Sequence, residues 1–281
     1  MRYAKDSIRL SESQDYPLLK QVLRSEFATQ GQLFQFMSLG QREWSRRSFD
    51  WRLRRLVDHL LVERSDRFPS LRGEMVYRIA PTGAAVLQGL GEYCLFAPDR
   101  SNNRSDGRRE QLSVLHSLEL NEIHLSLLRK NPAAGWTYAT EIRSQNELTR
   151  FGYAKDYDAV LTLHVAEQEV RIALEYERTP KATKHYQGIA SALGRETHVR
   201  HLLYLLPNYD LLNFVPEFFT KAKLPVYLGL ARDWHVQLLE MPVVDPSSRP
   251  FVTLSGVLTA SAPGCQASQS PAVGGVRSPL R

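Results

Sequence analysis

Between residues 16 and 60 the apolar positions recur every three or four residues, the spacing of helices that bury one face. This spacing predicts three successive helices. Thr29 precedes the second helix as a capping residue, and Ser45 or Ser48 precedes the third. Two apolar stretches, 61–64 and 75–80, then predict a β-hairpin. Pro81 begins a further helix. Three helices, a two-stranded wing and a last helix are the order of a winged helix-turn-helix domain.

The second half of the chain mixes helical and alternating patterns. Residues 111–130 form a strongly amphipathic helix, and residues 136–142 are typical of a strand or of a strand-to-helix junction. Residues 160–165 and 170–177 alternate apolar and polar positions, which predicts a β-hairpin. A crossover helix at 186–193 and buried strands at 198–208, 225–234 and 235–241 complete the predicted elements, with an amphipathic helix between the first two strands. The pattern predicts an α/β domain and hence an α+β chain overall.

Composition places the boundaries between these regions. Residues 98–110 hold no apolar side chain except Pro98, and residues 245–281 are rich in Ser, Pro, Gly and Ala. We therefore predict a winged helix-turn-helix DNA-binding domain at 15–97 and a linker at 98–110. The α/β domain would span 111–244, and the tail, 245–281, would be largely disordered.

The composition also bounds the class of protein. Hydrophobic residues make up 43% and aromatic residues 10% of the 281 residues, enough to bury two cores. No apolar run reaches the roughly 18 residues of a membrane-spanning helix. Two distant cysteines, Cys94 and Cys265, form neither a disulfide framework nor a zinc pattern. Without a secretory signal at the N-terminus, these features favour a cytoplasmic protein that does not enter a membrane.

The net charge of +6 suggests an anionic partner. Residues 42–72 hold nine arginines against five acidic residues. A helix fits the major groove of double-stranded DNA, and arginines on the helix and the wing reach phosphates and guanine edges. The candidates on the third helix and the wing are Arg46, Arg47, Arg52, Arg54, Arg67 and Arg72. The alternative is that these arginines only solvate the helix or bind a protein partner.

Carboxylates gather where the predicted hairpin ends. Strand alternation places Glu175 and Glu177 on one side of the return strand, and Asp158 begins the first strand. Asp158 and Glu175 then meet on adjacent antiparallel strands if the register allows it. Converging carboxylates can hold Mg²⁺, which prefers oxygen ligands. The alternative is that these acids face solvent on an edge strand.

Acidic residues, a hairpin and a following lysine resemble the PD-(D/E)xK nuclease superfamily. In its whole order the chain resembles the replication-relaxation proteins of plasmids and integrative elements, which pair a winged helix with a degenerate nuclease-like domain. The resemblance covers about residues 15–230. It is carried by the phrases YRIAPTGAAVL (77–87), HSLELNEIHLSLL (116–128), GWTYATEIR (135–143), DYDAVLTL (156–163) and ALEYERTPKATKHY (173–186).

The resemblance implies that Glu141, Asp158 and Glu175 bind the metal and that a lysine completes the catalytic set. The nuclease pattern expects that lysine two residues after Glu175, where this chain has Glu177. Lys184, or Lys181, would then have to supply the amine. His116 and His124 share one face of the long helix, which indicates core or interface histidines more than metal ligands.

Two function hypotheses follow. The first is a DNA-binding protein of a plasmid or integrative mobile element, with a nuclease-like domain that nicks or cleaves DNA using Mg²⁺. The second is a non-catalytic DNA-binding regulator or adaptor, whose nuclease-like domain serves homodimerisation or partner binding. Glu177 in place of lysine favours the second. RNA binding remains a third interpretation of the basic helix.

Overall fold

A computed structural model describes residues 8–65, 73–92, 107–165, 168–248 and 251–260. The chain is a mixed α+β protein, as the sequence predicted. We call residues 8–92 the N-terminal unit and residues 107–260 the C-terminal unit. Among the described residues, no helix is both long enough and apolar enough to cross a membrane.

The N-terminal unit packs four helices around a small antiparallel sheet of strand order β1-β3-β2. Its elements are α1 (Asp15–Ser25), β1 (Ala28–Thr29), α2 (Gln30–Leu39), α3 (Arg46–Asp58), β2 (Val62–Ser65), β3 (Val76–Ile79) and α4 (Pro81–Gly89). The predicted apolar faces form one core, in which Leu18, Phe49 and Leu56 are fully buried.

Local capping chemistry sets the starts of α2 and α3. The Thr29 side chain accepts a hydrogen bond from the Gln32 N–H, and the Gln32 side chain accepts one from the Thr29 N–H. Ser45 caps α3 by accepting a hydrogen bond from the Ser48 N–H. The Thr29 cap is therefore confirmed, and Ser45 rather than Ser48 caps the third helix.

The turn into α4 explains the Thr-Gly of the 77–87 phrase. Pro81 occupies the first helical turn, and the Thr82 hydroxyl donates a hydrogen bond to the Leu60 carbonyl. A Cβ at Gly83 would lie 2.1 Å from the Leu61 carbonyl oxygen. Only glycine lets α4 approach the start of β2 this closely.

The C-terminal unit is a seven-stranded sheet of order β10-β9-β8-β7-β6-β5-β4 with helices on both faces. Its elements are α5 (Gly107–Lys130), β4 (Gly135–Tyr138), α6 (Ala139–Leu148), β5 (Ala159–Val165), β6 (Gln168–Tyr176), α7 (Thr183–Leu193), β7 (His201–Leu206), α8 (Tyr209–Phe214), β8 (Val226–Leu230), α9 (Ala231–Gln237), β9 (Pro242–Val244), β10 (Phe251–Thr253) and α10 (Leu254–Ala260).

The sheet is mixed, and its centre is parallel. Strands β6, β7 and β8 run parallel, while β4, β5, β9 and β10 pair with their neighbours antiparallel. One core packs α5, α9 and α10 against one face, and a second core packs α6, α7 and α8 against the other. The strands between two such layers are buried on both faces, which is why β7 reads as a continuous apolar run.

The structure corrects four boundaries. Residues 235–241 were predicted as a strand, but α9 and a 3-10 turn cover most of them, with the Trp234 side chain fully buried. Helix α5 begins at Gly107, inside the predicted linker, and 98–106 lies outside the described residues. The crossover helix was predicted at 186–193, yet α7 begins earlier, at Thr183.

The fourth correction concerns the predicted tail. Strand β10 and helix α10 lie within it, because Leu254 and Leu258 are fully buried in the core of the sheet. Two apolar side chains at helical spacing can order a short segment when a core is available to receive them. Residues 261–281 lie outside the described residues.

Helix α5 joins the two units. The Gln32 amide donates to the Leu118 carbonyl (2.8 Å) and to Glu122 (3.0 Å). The Asn121 amide donates to the Phe27 carbonyl (2.8 Å). These bonds fix α5 against the start of α2 and against the turn that follows α1.

Candidate nucleic-acid interface and acidic pocket

The outer face of α3 carries several exposed arginines. Arg47 and Arg54 are exposed and have no ion-pair partner among the described residues. Arg46 is also exposed, but it pairs with Asp50 at 3.0 Å and lies over the Phe34 ring. Arg47 and Arg54 therefore leave positive charge at the helix surface, as an anionic partner requires.

Arg52 was predicted to contact DNA, and its position contradicts that role. Its side chain is 7% exposed and pairs with the fully buried Asp15 at 3.0 Å. Burial alone would raise the pKa of Asp15, but the Ser11 N–H, Arg55 and Arg52 together hold it below its ordinary value of 3.8. The helix turns Arg52 inward because residues 49, 52, 53 and 56 share the buried face of α3. Arg67 and Arg72 lie outside the described residues.

Asp158 and Glu175 meet at one end of the sheet. Ala159 pairs with Leu174 across the antiparallel β5–β6 ladder. Asp158 directly precedes this pair on one strand and Glu175 directly follows it on the other, so the register required by the sequence argument is present. Both side chains line one pocket, together with His116, Glu177 and Lys181.

Both carboxylate oxygens of Asp158 have partners. Oδ1 lies 3.1 Å from His116 Nε2, and Oδ2 accepts the Tyr176 N–H at 2.7 Å. Burial alone would raise the pKa of Asp158, but the hydrogen bond and charge of His116 hold it below 3.8. Burial likewise opposes charge on His116, but the Asp158 carboxylate and the nearby Glu175 raise its pKa above 6.5.

Glu175 forms an ion pair with Lys155. Its side chain is 7% exposed, and this burial raises the pKa of Glu175, with the Asp158 charge adding to the effect and Lys155 opposing it. The pKa of Asp158 is therefore lowered and the pKa of Glu175 is raised, although both carboxylates lie in one pocket.

The Glu177 side chain is buried in the wall of the pocket and does not face solvent. Its side chain is 1% exposed, accepts a hydrogen bond from the Tyr204 hydroxyl and pairs with Lys181 at 3.2 Å. Its Oε1 atom is buried without a hydrogen-bond partner. Burial opposes charge on Lys181, but the Glu177 and Glu175 carboxylates raise its pKa above 10.5.

Two predicted site residues lie elsewhere. Glu141 accepts the Tyr138 N–H at the start of α6 and pairs with Arg24 at 2.7 Å, so it joins the two units instead of lining the pocket. Lys184 is exposed on the first turn of α7 and is likewise absent from the pocket lining. The structure brings Asp158, Glu175 and Glu177 together, and it does not bring Glu141 or Lys184 to them.

Sequence reasoning missed Lys155 and assigned His116 to a core or interface. Lys155 lies three residues before Asp158 in an irregular loop, and no periodic pattern distinguishes it. His116 precedes Asp158 by 42 residues. Only the packing of α5 beside the β5–β6 hairpin reveals that contact.

Most carboxylate oxygens of the pocket are engaged, so it offers few free ligands to the Mg²⁺ that the family resemblance implies. Among the described residues no group of three or more His, Cys, Asp or Glu side chains is arranged to hold a metal ion. Both oxygens of Asp158 are engaged, and Lys155 neutralises Glu175. In this arrangement protein donors and cations compensate the two carboxylates.

Comparison with known proteins supports the family resemblance that the sequence phrases suggested. No curated protein and no solved structure matches the chain significantly. The family model described as replication-relaxation matches residues 19–189, from α1 of the N-terminal unit to α7 of the C-terminal unit. That match covers more than half of the chain, and the protein therefore belongs to the replication-relaxation family.

Proposed function

We propose that this chain is a double-stranded DNA-binding protein of a plasmid or integrative mobile element, and that its N-terminal unit acts as a winged helix-turn-helix. In this proposal α3 is the recognition helix and the β2–β3 hairpin is the wing. The observation that carries it is the exposed charge of Arg47 and Arg54 on one helix face, which has no ion-pair partner among the described residues. The order of helices and hairpin and the family of the chain support it.

We further propose that the C-terminal unit has a nuclease-like fold that holds a partner, or a second copy of this chain, without cutting DNA. The antiparallel β5–β6 hairpin followed by parallel β7 supports the nuclease-like assignment. The internal pairing of Asp158, Glu175 and Glu177 supports the non-catalytic role, because each carboxylate already has a cation or hydrogen-bond donor.

Salt-dependent binding tests the DNA proposal. Wild-type protein should bind a mixed-sequence duplex with an affinity that falls as salt rises, since each neutralised phosphate releases counterions. Arg47→Ala and Arg54→Ala should each weaken binding and lower the salt slope by about one. Arg150→Ala removes an exposed arginine from the C-terminal unit and serves as the matched control. Equal losses in all three variants, or no binding by wild type, would refute the proposal.

Metal-dependent cleavage is the second candidate function, favoured by the placement of Asp158 beside Glu175 with Lys155 in contact. It is tested with supercoiled plasmid and linear duplex, in Mg²⁺ or Mn²⁺ against EDTA. We expect no cleavage by wild type, Asp158→Ala or Glu175→Ala, with DNA binding retained in all three. Metal-dependent nicking that both substitutions abolish would establish a nuclease and overturn the non-catalytic role.

A further inference from the structure

Two tryptophans stand exposed on the basic surface of α3. Trp51 is 59% exposed, and Trp44, just before the Ser45 cap, is 77% exposed. Arg47, Trp51 and Arg54 are spaced four and three residues apart, so they share one face of the helix. An indole usually buries much of its surface, and the exposed Trp51 indole between two exposed arginines indicates a binding surface.

The structure fixes the orientation of the Trp51 ring. The Arg55 guanidinium lies over it, 4.9 Å from the ring centroid. Arg55 is itself held by the fully buried carboxylate of Asp15. One face of the indole is therefore covered by an anchored cation, which is a favourable cation–π contact. The rest of the ring is presented to solvent beside Arg47 and Arg54.

We propose that the DNA bound by this surface contains unpaired bases, one of which stacks on the open face of Trp51. This inference rests on the proposed DNA binding and specifies its substrate class. A perfect duplex hides the faces of its bases and offers only their edges in the grooves. Unpaired bases expose their faces, and stacking on aromatic side chains beside a basic groove is how single strands are held.

Charge argues against a second copy of this chain as the occupant. A symmetric dimer through this face would bring Arg47 and Arg54 of one copy against the same residues of the other. The exposed arginines instead complement a phosphate backbone, and the indole complements a base. A polymer that is both anionic and aromatic satisfies both features.

The test compares three probes on the full chain: a short dT oligonucleotide, a perfect duplex, and the same duplex with a central mismatched bubble. Trp51→Ala should weaken binding to the oligonucleotide and the bubble by about tenfold, a loss typical of one stacked base, and weaken binding to the duplex by much less. Trp51→Phe should recover most of the loss. Phe151→Ala is the matched control, because Phe151 is 83% exposed in the C-terminal unit.

Tryptophan fluorescence gives an independent reading. Trp234 is fully buried and Trp136 is partly buried, so quenching by the oligonucleotide should arise mainly from Trp44 and Trp51 and fall in Trp51→Phe. The inference is overturned if Trp51→Ala weakens duplex and bubble equally, if it weakens neither, or if it instead abolishes a dimer seen by sedimentation. Loss of binding to every probe by wild type would refute the proposed DNA binding, which is a different result.

Discussion

At the scale of single residues, position in the fold decides what each arginine of α3 does. Arg52 and Arg54 lie two residues apart, yet one is buried against Asp15 and the other is exposed. A buried ion pair contributes to stability only while both partners remain, because a lone buried charge is costly. An exposed arginine contributes little to stability and is free to bind a phosphate.

These two arginines give a matched pair of substitutions. Arg52→Ala leaves the Asp15 carboxylate with less compensation and should lower the free energy of unfolding by about 3–5 kcal/mol. Arg54→Ala should change it by less than about 0.5 kcal/mol while weakening DNA binding. Urea unfolding followed by circular dichroism, beside a duplex-binding titration, measures both. A larger loss of stability in Arg54→Ala would contradict the assignment.

The His116–Asp158 pair predicts a pH dependence. The folded pKa of His116 is raised above 6.5, so the pair stabilises the fold below about that pH and loses its contribution as pH rises through the folded pKa. Asp158→Asn removes the hydrogen-bonded charge, and the His116 pKa should fall because burial then dominates. Histidine titration by NMR measures the shift.

The titration has two controls, a variant of a neighbouring carboxylate and a second histidine. Asp156→Asn alters a neighbouring exposed carboxylate and should leave His116 unchanged. Burial lowers the pKa of His124 to about 3, so this histidine should stay neutral across the titration. A His116 pKa that is unmoved by Asp158→Asn would refute the pair.

At the scale of elements, close backbone approach fixes α4 on the rest of the N-terminal unit. The Thr82 hydroxyl and the missing Cβ of Gly83 both face the chain at Leu60 and Leu61. The Thr82 hydrogen bond holds the helix against the start of β2, and the missing side chain of Gly83 leaves room for that contact. The helix that follows the hairpin is thereby held to the end of α3.

Two glycines of α4 test this packing. Gly83→Ala places a Cβ 2.1 Å from the Leu61 carbonyl oxygen and should cost about 1–3 kcal/mol of unfolding free energy, because backbone must move. Gly89→Ala meets no atom within 4 Å and should be neutral or stabilising by up to about 1 kcal/mol. Chemical denaturation of both variants measures these changes in the free energy of unfolding. Equal stabilities would show that α4 does not pack this closely.

At the scale of the whole molecule, α5 belongs to the C-terminal unit and also carries the hydrogen bonds that hold the N-terminal unit. Two further ion pairs, Arg24–Glu141 and Arg143–Glu26, connect α1 and its C-terminal turn to α6. The two units therefore share polar contacts on two helices.

This junction predicts coupled unfolding. Asn121→Leu leaves the Phe27 carbonyl without its donor and should cost about 1–3 kcal/mol, lowering the melting temperature of the N-terminal unit. Calorimetry should show one transition for wild type and a split or broadened transition for the variant. Asn213→Leu, an exposed position on α8, is the control. A wild type that already unfolds in two separate steps would contradict the coupling.

The sequence by itself determined the features that depend on near neighbours. Helical spacing, the Thr29 cap and the alternation that puts Asp158 and Glu175 on adjacent strands of one hairpin follow from contacts a few residues apart or across a short hairpin, while the structure supplied the register. Family membership followed from the order of these elements.

The tertiary structure decided everything that depends on distant partners. It buried Arg52 on Asp15, 37 residues away, paired Lys155 with Glu175, and used Glu141 to join the units. It also ordered α10 on the sheet and turned 235–240 into helical turns. These outcomes depend on which surfaces pack together, and a periodic pattern specifies that a face is buried without specifying what covers it.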